Sequence, residues 1–581
     1  MPFQVSPGVN VSEIDLTTAI PSVSTSVGAF AGRFQWGPAL ETTLVSSETD
    51  LVDQFFKPAA NTYEDFFTAA NFLAYSGALR LVRVIDEDKA RNAQEGNTHV
   101  ATGEGLLIKN DTHFDSGLTF ANTFYAKYPG AAGNELTIEL CDHAGDHGSK
   151  TGFANWWVNT YFDAAPDTSS HVAARGGTGD EVHVAVIDST TGFFSGTANS
   201  VLELYPFLSQ ASDARNSSGD LIHWKTYINN HSKYIRIGNE TAKTTATYGT
   251  STATTTTFQN TATGIISVKL QGGTDGDYEA AEYSTAYDLF ADTDQEDVSL
   301  IMAGGGGQGI TDTDKETVIK KAIDIATTRK DCVTFYSPLK SDTVDQATAA
   351  GRLTEVKGFR STQTNKNTSY AFMDTGWKYQ YDKYNAVYRW TPLNGDIAGL
   401  AARTDQARDA WFSPAGYNRG QIKNVVKLAY NPSKAHRDEL YQKQINPVVS
   451  FPGQGTLLFG DKTSQTRPSA FDRINVRRLF IVLEKAISTA AKFSLFEFND
   501  AFTRSQFRNM VEPFLRDVQG RRGITDFKVV CDETNNPGSV VDRNEFVGDI
   551  YVKPVRSINF IQLNFVAVST GVDFTEVVGK F

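Results

Sequence analysis

Cysteine is scarce in this chain: Cys141, Cys332 and Cys531 are the only three in 581 residues, and they lie far apart. An odd count at such spacing excludes a disulfide framework and a cysteine-based zinc motif. It fits a reducing compartment. No apolar run reaches the ~18 residues of a transmembrane helix, so no stable membrane insertion is expected. The opening MPFQVSPGVNVSEIDL has neither a basic n-region nor an apolar h-region, so no signal peptide is expected. Catalytic signatures are missing as well. There is no GxxxxGK[ST] phosphate loop, no GxSxG nucleophile elbow and no HExxH zinc helix. The expectation is therefore no enzyme: no catalytic residues, no cofactor and no resident metal.

What is present is the material of a large folded protein. Hydrophobic residues make up 40% and charged residues 21% of the chain, which excludes disorder as its general state. The length suggests about three or four domains. Net charge is −13, a poor balance for neutralising phosphates, so no direct nucleic-acid binding is expected. The balance is uneven: residues 401–581 carry about +6. A basic C-terminal part in an acidic chain suggests an acidic partner surface.

Pattern divides the chain. Residues 1–25 read as an extended arm, interrupted by Pro2, Pro7 and Pro21, with no core of their own. In 26–86, SVGAFAGRF and LRLVRVID read as strands around a helix TYEDFFTAANFLAYSG. Residues 87–290 hold eight of the nine histidines, many Gly, Thr, Asn and Asp, and short strands such as LTIEL and VHVAVID. They read as a β-rich insertion, with a Thr-rich loop at 241–264. Residues 297–340 read as a β-α-β unit that could share a sheet with 79–86 across the insertion. Further on, 473–495 reads as one amphipathic helix. A second helix spans about 500–518, with Pro513 expected to kink or break it. Strands follow at 527–532, 545–554 and 555–569. The fold class is thus multidomain α/β (α+β).

Several local patterns invite chemistry. Cys141, Asp142, His143 and His147 resemble a ligand cluster, but Gly145 and Gly148 favour a polar loop. The glycines 304–307 follow a strand and precede a helix, as a phosphate site would. Lacking the lysine and lying near Asp292, Asp294, Glu296 and Asp297, they read better as a tight turn. The aromatic run Trp377, Tyr379, Tyr381, Tyr384, Tyr388 and Trp390 alternates like a strand, which favours packing over stacking on sugars or bases. Basic residues gather in 470–525; Arg504 and Arg508 stand four apart, so on a helix they share a face.

Long ordered stretches of this sequence resemble one family. They are GAFAGRFQWGPA with LRLVRVID, then WKYQYDKYNAVYRWTPLNGDIAGLAARTD with SPAGYNRGQI. LLFGDKT, FDRINVRRLF, LFEFNDAFTRSQFR and VVCDETNN follow, then VDRNEFVGDIYVKPVRSINFIQLNFVA. Together they resemble the tail sheath proteins of contractile-tailed, T-even-like bacteriophages.

The resemblance implies a helical homo-oligomer of hexameric rings around a tail tube. The sheath is metastable when extended and contracts to drive the tube through the host envelope during genome ejection. It implies four parts: an N-terminal arm (1–25) joined to the inner domain, a middle α/β domain (26–86 and 291–430), an inserted β-rich outer domain (87–290), and an inner tube-facing domain with a C-terminal arm (431–581). The implied partners are further copies, the tail tube protein, and the baseplate and tail terminator proteins. The implied place is the virion tail, assembled in the host cytoplasm. Val5, Val9, Val11 and Ile14, with Val572, Phe574, Val577 and Val578, become the inter-subunit arm residues. Arg477, Lys485, Lys492, Arg504, Arg508, Arg521 and Arg522 become the tube-facing basic candidates. The alternatives are a related contractile injection machine, or a virion-surface protein binding glycans through the insertion.

Overall fold

The computed structural model describes residues 25–96, 105–145, 152–240, 251–255, 257–258, 264–559 and 562–563. These residues form two compact units, one ending at Ser488 and the other starting at Thr489.

The first unit contains two seven-stranded sheets. In the first sheet the spatial order is Ile445–Asn446, Ala371–Asp374, Val333–Tyr336, Leu300–Met302, Gly28–Gly32, Leu79–Arg83 and Thr43–Val45. All its pairings are parallel except the last. Parallel strands need cover on both faces, and alternation supplies two apolar sets. Phe30, Leu79, Leu81 and Phe335 pack on one side with the helices Tyr63–Leu73 and Asn394–Ala407. Ala29, Ala31, Val82 and Tyr336 pack on the other with Ala280–Asp288 and Asp312–Arg329. The helices Tyr63–Leu73 and Asn394–Ala407 meet so closely that a Cβ at Gly395 would lie 2.4 Å from the Thr68 carbonyl oxygen. Only glycine permits that approach.

Strands from either side of 87–290 thus share one sheet. It also runs past residue 430, where the resemblance implies the start of the inner domain: Ile445–Asn446 pairs with Met373–Asp374. Ile474 and Ile481, from the helix Ile474–Ala491, belong to the same core. The units part only after Ser488.

The second sheet is built from 87–290 alone. Its order is Val201–Ser209, Glu181–Asp188, Leu136–Cys141, Ile266–Gln271, Gln94–Glu95, Phe124–Ala126 and Ile235–Ile237, and every pairing is antiparallel. Arg83 fastens it to the first sheet. Its fully buried guanidinium donates to the carbonyls of Phe34 (3.0 Å), Gly37 (2.9 Å) and Pro129 (2.9 Å) and meets Asp275 at 3.3 Å. Trp36 adds an apolar clamp, packing on Tyr128 and Phe194.

In the second unit the helix Ala501–Gly520 packs on an antiparallel pair, Ile524–Val530 with Asp549–Pro554. Asp500 caps the helix by accepting from the Thr503 amide at 2.8 Å. Phe507, Val511, Leu515 and Val518 form its buried stripe. Pro513 neither breaks nor ends this helix. It lies on the exposed side, where water can satisfy the carbonyl four residues back. The preceding helix ends at Ala491, short of the expected 495, in a 3-10 turn over Lys492–Ser494. The strand expected at 545–554 is shorter, Asp549–Pro554, and 555–559 carry no strand.

Candidate assembly surfaces

The seven basic candidates do not form one surface. Arg477 is buried in the first unit. Its Nε donates to Ser369 Oγ at 2.9 Å and its Nη1 to the Tyr370 hydroxyl at 3.1 Å. The guanidinium sits over the Phe471 ring at 4.0 Å. Burial holds its pKa below the usual guanidinium value. Lys485, in the same unit, is ion-paired with Asp297. Arg504 is buried in the second unit, donating from Nε to Asn499 Oδ1 at 2.7 Å and from Nη2 to the Asn499 carbonyl at 3.1 Å. The expectation that Arg477 and Arg504 face a partner is therefore corrected: both are spent inside the fold. Lys492, Arg521 and Arg522 are exposed and Arg508 is half-buried. Arg521 lies 3.5 Å from Asp517, one turn earlier on its helix. Arg504 and Arg508 do not share a solvent face.

The arm residues Val5, Val9, Val11, Ile14, Val572, Phe574, Val577 and Val578 lie outside the described residues.

One surface escaped the sequence reading. Phe493, Leu495, Phe496, Phe498 and Phe502 of the second unit are all more than 60% exposed, and Phe496 is fully so. The signal was the KFSLFEF string itself, whose first four residues, up to 495, read as the tail of an amphipathic helix. The chain turns out of that helix first.

The other motifs resolve as structure. Asp142 and His143 meet each other, Oδ1 to Nδ1 at 2.6 Å; His147 lies outside the described residues. His183 stacks on Phe162 with ring centres 4.5 Å apart and accepts from the Phe207 amide at Nδ1. Burial lowers its pKa, so it is a neutral core histidine. Among the described residues no cluster of three or more His, Cys, Asp or Glu has metal-site geometry. The glycine turn is locked by Asn394. Its Oδ1 accepts from the Gly304 amide at 3.0 Å and its Nδ2 donates to the Gly304 carbonyl at 2.7 Å. Trp377 is buried and donates to the Pro338 carbonyl at 2.8 Å. Across paired strands Tyr379 stacks on Tyr388 and meets Trp390 at a tilt, with Lys427 over Tyr379.

Buried charge gathers at the C-terminal edge of the first sheet. Lys378 and Asp396 pair at 2.9 Å with almost no exposure. Burial pushes Lys378 down and Asp396 up, and each charge opposes that for the other. Asp374 accepts from Ser337 Oγ and the Gly376 amide, each at 2.7 Å, yet burial pushes it up to about 8. All three side chains are buried. They set polarity inside a structural core.

Comparison with known proteins agrees. The phage tail sheath protein central domain matches residues 276–464, and the phage tail sheath C-terminal domain matches 466–567. The tail sheath protein of Vibrio phage KVP40 is 36% identical over 99% of this chain and 100% of its own length. That of Enterobacteria phage T4 is 34% identical over 99% of both. Among solved structures, the PVC sheath complex of an extracellular contractile injection system, in its contracted state, has a TM-score of 0.50 and 13% identity. The match covers 99% of this chain and 100% of that one. Such low identity speaks to the fold alone. A two-unit α/β protein is the class that the fold defines. The chain belongs to the phage tail sheath family, and it is a structural subunit rather than an enzyme.

Proposed function

We infer that this chain builds the contractile sheath of a phage tail, polymerising around a tail tube and contracting to drive it through the host envelope. End-to-end similarity to two tail sheath proteins carries the inference. Copies of the chain are its principal partner, with the baseplate as the site of attachment and trigger. The finer reading is a stack of hexameric rings assembled on the tube in the host cytoplasm and closed by a terminator protein. In it the arms at 1–25 and around 572–578 add strands to neighbouring subunits, which gives generic backbone affinity. Lys492, Arg508, Arg521 and Arg522 are the remaining basic side chains for an acidic tube. The division into inner, middle and outer domains belongs to this same reading.

The mechanism needs no bound fuel. If each subunit's extended interface set is less stable than its contracted one by a few kcal/mol, the bias per subunit is already large. Coupling along a polymer makes the stroke irreversible, with its timing set by a kinetic barrier.

Negative-stain electron microscopy of the purified chain across concentration tests the reading. Hollow, striated tubes are expected, either alone or on added tube protein. Single particles under both conditions would refute it.

A further inference from the structure

The ion pair of Lys378 and Asp396 joins two elements inside the first unit, with side chains 0% and 1% exposed. The strand Trp377–Asp382 carries the lysine, and the first turn of the helix Asn394–Ala407 carries the aspartate. Lys378 Nζ donates to Asp396 Oδ1 at 2.9 Å and stands 2.9 Å from Oδ2 as well. Oδ2 itself accepts no hydrogen bond, so the nitrogen is close to it without bonding alignment. An amine this near to both oxygens is in contact with the carboxyl carbon between them, at the separation of about 3–3.5 Å from which bonds form. A third group is in place. The Tyr75 hydroxyl donates to Asp396 Oδ1 at 3.1 Å and accepts from the Lys423 amide at 2.7 Å, which turns its proton toward the carboxyl. The Lys423 carbonyl accepts from Lys378 Nζ at 3.1 Å. Gly399 lets the helix rest on the phenol, because a Cβ there would lie 2.5 Å from the Tyr75 ring.

We propose that Lys378 and Asp396 condense into an intramolecular isopeptide bond, a covalent tie between the strand and the helix. The step balances within the pair. One proton passes from the ammonium to the carboxylate, giving an amine and an acid. The Nζ lone pair forms a bond to Cγ while the Tyr75 hydroxyl holds the charge that gathers on Oδ1. A second Nζ proton joins the hydroxyl at Oδ2, and the Cγ–Oδ2 bond breaks with its electron pair to release one water. In bulk water the two ions are favoured over the amide by their hydration. In this core that hydration is gone, and an amide spares the fold two desolvated charges. Burial pushes Lys378 down and Asp396 up, toward the neutral forms that react. Arg478 and Asp405, at 4% and 6% exposed, are buried nearly as deeply, but a guanidinium does not give up its proton, so that pair stays ionic. The inference rests on the folded chain alone, whatever the chain assembles into.

Intact-mass spectrometry of the full chain, denatured only after folding, tests it. The chain is expected to be one water lighter than its sequence. Trypsin is expected to spare Lys378 and to release residues 367–383 joined to 390–403. Lys378→Arg keeps the cation but not the amine, and is expected to show the full mass of its own sequence. Tyr75→Phe is expected to reach the lighter mass about a hundredfold more slowly after synthesis; an equal rate would remove Tyr75 from the step. A chain of full mass that trypsin cuts after Lys378 overturns the proposal and leaves an ion pair only. A chain one water lighter whose two peptides separate overturns it as well, since the dehydration then lies elsewhere, as at Asp275–Gly276. So does a Lys378→Arg chain that still loses the water.

Discussion

Asp374 shows how a single residue ties this fold to pH. Its carboxyl accepts two hydrogen bonds, which favour the anion, but it is buried at the sheet's edge and the net push is upward, to about 8. The folded state therefore holds a proton that the unfolded chain, near its ordinary value of 3.8, releases. Stability from this group is complete below that ordinary value and drains away as pH rises, until the folded group also ionises near 8. The slope is at most about 1.4 kcal/mol per pH unit. Asp374→Asn removes the titration but offers one acceptor oxygen to two donors. We expect it to be less stable than wild type near pH 5, with a deficit that shrinks steadily toward pH 8. Denaturant unfolding at both pH values checks this; a constant deficit would mean that Asp374 is ionised throughout. None of this was legible in the sequence, because the depth of a carboxylate is set by strands and helices far away along the chain.

Among the elements, those that bury a regular stripe were legible and those whose meaning depends on a distant partner were not. The helix Asp312–Arg329 was visible as the middle of the β-α-β unit at 297–340, and the strands of the insertion from their shortness and composition. Arg477 looked like surface charge because nothing nearby reveals Ser369 and Tyr370, over a hundred residues earlier. The aromatic loop after Ala491 was absorbed into a helix because apolar spacing does not say whether a core exists to receive it. The helix Ala501–Gly520 gives this contrast a test. Arg504→Glu places an acid in a buried site built for a cation, and a broken buried charge site costs about 3–5 kcal/mol. It is expected to unfold the second unit. Arg508→Glu, half-buried and a turn further on, is expected to keep the melting temperature and weaken association with tube protein in co-sedimentation. Equal tube binding by Arg508→Glu and wild type would show that this charge is merely solvated.

For the whole molecule, the question is where the free energy of a stroke resides. The described residues form two units, each with buried apolar side chains. On the function proposed above, the work lies in contacts between copies. The segment Met1–Ile20 is the sharpest case. Pro2 and Pro7 disfavour a helix across residues 1–7, and Val5, Val9 and Val11 alternate with polar neighbours, which reads in the sequence as a strand that needs a sheet it does not own. An arm of that kind contributes little to a subunit's own stability and much to cohesion of the polymer. Deleting Met1–Ile20 is thus expected to leave a monodisperse chain whose melting temperature lies within a few degrees of the parent, yet which forms no tubes at concentrations where the parent does. Analytical ultracentrifugation with electron microscopy reads both quantities at once. Tubes of normal length from the truncated chain would move cohesion onto the packed units and leave the arm without a part in the stroke. Collapse of the melting temperature would mean that the arm completes its own subunit's core rather than its neighbour's.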